Sequence, residues 1–532
     1  MQEATLLYDY FDESVKKYPD KEALIFGEER FTYSELFKRV NILSDYFYKT
    51  GIQRLDRVLV YSDNSPEVII SLYAAIRAGG VFTIINNAVQ LQKFTYILND
   101  CKSAIIVSNH SRRDIVETAI KNTGLNPVII WTGEEEHNLT LKQNVESIHW
   151  DDIFTEEILT REYLEPGRIS GNRVLDIDLA GLIYTSGSTG EPKGVMESHH
   201  NIISAARSII QYLDNKPEDI VLNTLPLSFD YGLYQVIMTF MYGGTIILEK
   251  SFIFLSRILT LIAKEKVTGF PIVPTIVAMI FKTLDLRNFD LRTLRYISNT
   301  GAVLPVEHIK RLRHIMPHVQ IYSMFGLTEC KRISYLPPDK IDIKPDSVGI
   351  PMPNCEVFVV DENEKPVIAG ETGELVVRGS NVMQGYWNDP EQTARTFRYG
   401  LGFNEKLLFT GDYFKRDADG FLYFLGRKDD MIKSRGERIS AREIERIITQ
   451  MEEVNECAVI GVDDELLGQA IKAFVVLFPG KDVDKRIILS YCAANMEPYS
   501  VPKYIEFISE LPKTPHGKID KKILKKLSVK KL

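Results

Sequence analysis

The sequence predicts an α/β protein: a large N-terminal region with two α/β sheet layers and a small β unit, then a small α+β C-terminal domain. Three observations predict it. Apolar strand-like and helix-like stretches alternate twice before residue 350, the pattern turns strand-rich from Pro351, and short helices and strands mix again after Gly426.

The elements follow in order. Thr32 to Glu35 reads as a capping box opening a helix whose apolar residues Leu36, Phe37, Val40 and Leu43 recur at helical spacing until Gly51. Strand Arg57 to Tyr61, helix Val68 to Ala78, strand Val81 to Ile85, helix Leu91 to Leu98 and strand Ala104 to Val107 make the first layer. A polar stretch near Glu134 to Arg173 separates it from strand Leu179 to Tyr184, a helix after Ser198, strand Asp219 to Asn223, helix Gly232 to Met241 and strand Thr245 to Leu248. Such alternation means mostly parallel sheets wrapped by helices. Strands Glu356 to Val360, Gly373 to Arg378 and Phe421 to Leu425 form the β unit. Helix Ala441 to Gln450, strands Glu456 to Gly461 and Lys472 to Phe478, helix Asp484 to Met496 and strand Tyr504 to Ile508 form the last piece.

The net charge of −8 over 532 residues supplies no field for a phosphodiester backbone, so nucleic acid is not an expected partner. The lysine-rich end, Lys513 to Lys531, reads as a solvated helix face apart from Lys518. Five scattered cysteines without CxxC pairing suit reduced thiols, and the N-terminus has no apolar leader, so a cytoplasmic protein is expected. The longest uncharged run, Tyr231 to Leu248, carries Gln235 and a Gly243-Gly244 break, which points to a buried helix and strand rather than a membrane span.

The segment Tyr184 to Gly194, YTSGSTGEPKG, packs hydroxyls, glycines and a lysine directly behind an apolar strand. Glycines let backbone N–H groups turn onto phosphate oxygens, hydroxyls add donors and Lys193 adds charge. It lacks the spacing of a Walker A loop. With it, in order, come Phe325 to Glu329 (FGLTE), Phe409 to Asp412 (FTGD), Gly426 to Asp430 (GRKDD) and Pro515 to Asp520 (PHGKID). On these five motifs the chain resembles the adenylate-forming superfamily of acyl- and aryl-CoA ligases, luciferase and nonribosomal peptide adenylation domains, over nearly its whole length.

The resemblance implies a ligase that joins a carboxylate to ATP, releases pyrophosphate and passes the acyl group from acyl-AMP to a thiol, with ATP and Mg²⁺ as cofactors. It implies an adenylation core over residues 1–425, a hinge at 426–430 and a mobile C-terminal domain at 431–532. By resemblance Thr185, Ser186, Gly187, Ser188, Thr189, Gly190 and Lys193 would hold phosphates, Thr328 would reach the α-phosphate and Phe325 would lie on adenine. Glu329 would hold Mg²⁺, a hard cation that takes few carboxylates beside phosphate. Asp412 and Arg427 would bind ribose, and Lys518 would bridge the acid and the α-phosphate. Asp429 would be the hinge residue and Gly436 would line the thiol channel. Where the family usually has Glu after Arg-Ile, this chain has Ser440.

The segment Leu225 to Leu233, LPLSFDYGL, bears on the acid. Phe229-Asp230 is similar to the core of amino-acid adenylation domains, whose aspartate pairs with the substrate ammonium, because a buried carboxylate needs a cation. Asp230 also fits a helix N-cap. The same alignment adds Tyr231, Tyr234, Asn299, Gly301 and Met324 to the pocket, implying a compact apolar site. The expectation is therefore activation of a small amino acid, L-proline first, and its transfer to a phosphopantetheinylated carrier protein in natural-product biosynthesis. An AMP-forming acyl- or aryl-CoA ligase, with CoA as acceptor, is the alternative.

Overall fold

The computed structural model describes residues 4–134, 146–160, 174–186, 191–283, 285–400, 405–428, 432–434, 437–464, 468–496, 500–513 and 519–529. The fold is mixed α/β, with a large N-terminal part and a small C-terminal one. Packing groups residues 1–357 with 377–408 in one unit, and 358–376 with 409–532 in the other. The sequence draws its boundary at residue 425. Packing instead groups residues 409–425 with the C-terminal segments, where residues 412–416 pair antiparallel with Leu422–Arg427.

Among the described residues the first unit carries a seven-stranded and a nine-stranded sheet. One runs, among the described residues, in the order Ser147–His149, Val128–Thr132, Ile105–Asn109, Arg57–Tyr61, Val81–Ile85, Leu179–Ser186 and Pro192–Ser198. Its central pairs are parallel and only the last hairpin is antiparallel. Val58, Leu59, Ile106 and Leu182 are wholly buried, as strands covered on both faces must be. The second sheet runs from Ile350–Pro351 through Ser334–Tyr335, Gln320–Phe325, Tyr296–Asn299, Gly269–Ile272, Ile220–Asn223, Thr245–Leu248 and Glu22–Phe26 to Glu29–Thr32.

Local signals explain the helices. Thr32 accepts from the Glu35 backbone N–H at 3.2 Å and Glu35 Oε2 accepts from the Thr32 N–H at 2.8 Å, so the capping box opens helix Tyr33–Lys49 as expected. Helix Asp230–Tyr242 is buried from Asp230 to Phe240, which accounts for a sequence that is apolar all round and charged only at Asp230. Phe240 packs with Phe11 and Tyr73 at ring separations of 5.4 and 5.6 Å. Among the described residues no helix is long and apolar enough to cross a membrane. All five cysteines are free and buried.

In the second unit the long hairpin Val454–Asp464 with Gly468–Leu477 has two covered faces. Cys457, Val459, Ile471 and Val475 pack under helices Ala441–Ile448 and Lys485–Asn495 through Ile444, Ile448 and Ile488. Ala458, Ile460 and Phe474 pack against Leu511 and Leu524. This alternation is the period of two that a strand imposes. Ser440 is the N-cap of helix Ala441–Ile448, accepting from the Glu443 N–H at 3.3 Å and donating to the Leu425 carbonyl. Its replacement of the usual Glu therefore serves local helix capping.

Candidate active site

Parallel strands Tyr296–Asn299 and Gln320–Phe325 end side by side, bringing Asn299, Met324 and Phe325 to one edge of the sheet, where ligands of open α/β sheets bind. Asn299 is fully buried; its amide donates to the Ala302 carbonyl at 3.0 Å while Oδ1 has no partner. Gly301 sits at φ +81°, and a Cβ there would meet only Phe229 and Val273 at an ordinary 3.8 Å. Backbone conformation, not space, demands glycine there.

Beyond Phe325 the chain doubles back tightly. A Cβ on Gly326 would come 2.4 Å from the Lys331 carbonyl oxygen and 2.9 Å from Arg332 Cα. The Cys330 N–H reaches the Leu327 carbonyl at 3.1 Å, and the Ile333 N–H closes on Phe325 at 2.9 Å. Lys331 adopts φ 62°, uncommon for a residue with a Cβ. Thr328 and Glu329 occupy the loop thus formed.

Glu329 is tied to the loop strand by a residue the sequence reading missed. The Tyr386 hydroxyl donates to Glu329 Oε1 at 2.7 Å, and Lys193 Nζ stands 5.5 Å from the same ring's centre. Residues 384–387 follow strand Pro192–Ser198 through Gln384 N–H to Met196 O at 2.9 Å and Trp387 N–H to Gly194 O at 2.8 Å. This pairing delivers Tyr386. Thr185 lies opposite Lys193 in the hairpin and Ser186 opposite Pro192. Gly187, Ser188, Thr189 and Gly190 lie outside the described residues, as do Lys518, Asp429 and Gly436.

A lysine and a carboxylate held by one tyrosine suit a magnesium–phosphate group: the lysine would match phosphate charge and Glu329 would supply one hard oxygen ligand. Among the described residues no cluster of three or more His, Cys, Asp or Glu forms an all-protein cage. In the second unit Asp412 is 1% exposed and sits opposite Arg427 across the hairpin, with Arg427 Nε 3.2 Å from its Oδ1. The structure thus brings this expected ribose pair together.

The acid pocket differs from expectation. Asp230 is the first residue of its helix; Phe229 is the N-cap and no side chain caps it. Lys331 Nζ lies 3.4 Å from Asp230 Oδ2 and donates to the Asp230 carbonyl at 2.6 Å. The cation beside Asp230 is therefore part of this chain. Tyr231 donates to the Ser298 carbonyl at 2.8 Å, and Tyr234, 4.1 Å beneath Lys331 Nζ, donates to Glu197 Oε2 at 3.2 Å. Burial first, then the Asp230 charge, pushes Glu197 up to about 8. Burial brings Lys331 down to about 8 against the pull of Asp230. Arg332 lies buried over the Tyr231 ring. Met324 Sδ accepts from Tyr212, whose ring stacks on Tyr335 at 4.1 Å.

The expected compact apolar site is thus lined by aromatic rings but holds four ionisable groups. Glu197, Lys331 and Arg332 escaped the sequence reading. Lys331 and Arg332 were signalled only as a Lys-Arg pair shortly after FGLTE, indistinguishable there from a solvated turn, and Glu197 had no local signal.

Comparison with known proteins identifies the family. Residues 11–387 match the AMP-binding enzyme family and residues 443–518 its C-terminal domain. The chain is 32% identical to a long-chain-fatty-acid–CoA ligase of Bacillus subtilis (strain 168), covering 96% of this chain and 93% of that protein. It is 28% identical to gramicidin S synthase 2 of Brevibacillus brevis over 97% of this chain but only 11% of that protein. The crystal structure of the anthranilate CoA ligase AuaEII in complex with anthranoyl-AMP matches with a TM-score of 0.85 at 26% identity, covering 99% of this chain and 98% of that one. The chain belongs to the AMP-binding enzyme family and is an AMP-forming, adenylate-forming ligase that works with ATP and Mg²⁺.

Proposed function

We propose that this ligase adenylates a small carboxylic acid that need not carry an α-amine, and that it transfers the acyl group to the thiol of CoA. The observation that carries this reading is the buried Lys331–Asp230 pair, 3.4 Å apart. A buried carboxylate requires a cation. Where the chain provides one, a substrate ammonium is not needed. Tyr231, Tyr234 and Met324 are bulky and buried, which favours a small acyl group over a long tail. In this reading Lys193, Thr328 and Glu329 bind the phosphates and metal, Asp412 and Arg427 the ribose, and Lys518 the reacting carboxylate. Asp429 and Gly436 serve hinge and thiol channel, with 426–430 joining core and C-terminal domain. The similarity to CoA ligases over most of both chains supports it.

A second reading, an amino acid such as L-proline loaded onto a carrier protein, rests on the Phe229-Asp230 core and on the similarity to gramicidin S synthase 2. ATP–pyrophosphate exchange with proline against cyclopentanecarboxylate separates the two, followed by thioester formation with CoA alone. We expect the amine-free acid to exchange at least as fast and CoA to suffice as acceptor. A preference of about tenfold or more for proline, lost in Asp230→Ala, would establish the second reading instead.

A further inference from the structure

Lys331 and Arg332 place two cations side by side against Tyr234 and Tyr231 of the expected acid pocket, each only 2% exposed. Around them stand two carboxylates, Asp230 and Glu197. Asp230 is engaged by Lys331 at 3.4 Å. Glu197 accepts from Tyr234, and burial favours its neutral form. The Arg332 guanidinium lies 5.2 Å from the centre of the Tyr231 ring and acts electrostatically on the Tyr212 hydroxyl, with no ion pair to a carboxylate among the described residues. Its Nε is buried and has no hydrogen-bond partner.

Arginine is always charged and offers five donors in a fixed fork. A buried guanidinium with an unmet donor and no counter-ion costs free energy that an arriving anion recovers. The surrounding groups fix where that anion lies. Tyr231 and Met324 belong to the acid pocket, and the Arg332 backbone passes directly beneath Gly326, one residue beyond Phe325.

We infer that Arg332 is a specificity-determining residue that binds a second anionic group on the acid, so that the substrate class is short dicarboxylic acids rather than simple monoacids. One carboxylate is adenylated and the other sits on the Arg332 fork. The inference rests on the adenylation reading above and names its substrate class.

The test compares glutarate, its monomethyl ester and valerate in ATP–pyrophosphate exchange, with thermal stabilisation by each acid as a binding readout. Losing one partner of a buried charge pair is worth roughly 30-fold to several-thousand-fold in kcat/KM. The diacid should lead the ester and valerate by that factor, and it alone should raise the melting temperature. Arg332→Met should erase the lead, and Arg332→Lys should keep part of it. Exchange with valerate as fast as with glutarate, or an equal loss of all acids in folded Arg332→Met, overturns the assignment alone. No exchange with any acid, with no stabilisation by the diacid, overturns the adenylation reading and this assignment together. Adding 2-aminoglutarate shows whether an amine matters in addition; a gain from the amine that persists in Arg332→Met belongs to Asp230.

Discussion

Two lysine–carboxylate pairs lie in the first unit and are built in opposite ways. Lys193 and Glu329 are half-buried, do not touch directly, and are linked through the Tyr386 ring and hydroxyl. Lys331 and Asp230 are buried and in contact at 3.4 Å, with the lysine closed over Tyr234. The first arrangement leaves both charges available to a ligand and costs little when empty. The second satisfies itself at the expense of desolvating both ions. A charged residue in a pocket is thus not by itself a ligand contact; what matters is whether the chain already neutralises it. By that measure the reading proposed above gives Glu329 and Arg332, rather than Asp230, to the ligand.

The largest expected effect sharpens the open pair. Glu329→Gln should lower ATP–pyrophosphate exchange on the order of 10²–10³-fold and raise the Mg²⁺ concentration needed, because it removes charge from where the phosphoryl group reacts. Unfolding free energy should change by no more than about 0.5 kcal/mol, as for a group outside the core. Unchanged magnesium dependence would move the ion to another ligand.

The closed pair should behave in reverse. Lys331→Met leaves Asp230 buried without its cation and should cost about 3–5 kcal/mol in denaturant unfolding, whereas the double variant Lys331→Met with Asp230→Leu should recover most of it. If the single variant is as stable as the parent, the pair is not a buried counter-ion and the contrast fails.

The effect read only as a pH profile concerns Glu197. Its folded value, about 8, stands above its ordinary 4.5, so the folded state holds a proton that the unfolded chain releases. Stability from this group is fully present below about pH 4.5 and falls as pH rises toward 8. Glu197→Gln keeps an acceptor for Tyr234 and should flatten that decline, most visibly near pH 8, in unfolding curves recorded between about pH 5 and 8. Lys331, brought down to about 8, works on a different window, with stability rising above pH 8 as its charge is lost. A decline of equal slope in the Gln variant would show that Glu197 is ionised throughout.

The sequence by itself determined the layered α/β architecture and most element positions. Strands Arg57–Tyr61, Val81–Ile85 and Thr245–Leu248 fall where apolar periodicity puts them, and the Thr32 capping box forms as read. It also carried the motifs expected to bind phosphate and ribose, because glycine spacing, hydroxyls and a lysine or aspartate at fixed offsets are local properties of the chain. Tertiary structure decided the counter-ions. Lys331 meets Asp230 across 101 residues, Tyr234 meets Glu197 across 37, and Tyr386 meets Glu329 across 57. No local pattern encodes such meetings. They arise because a buried charge takes whichever partner the packed sheets bring within reach, and that partner decides whether Asp230 or Arg332 is left for the substrate.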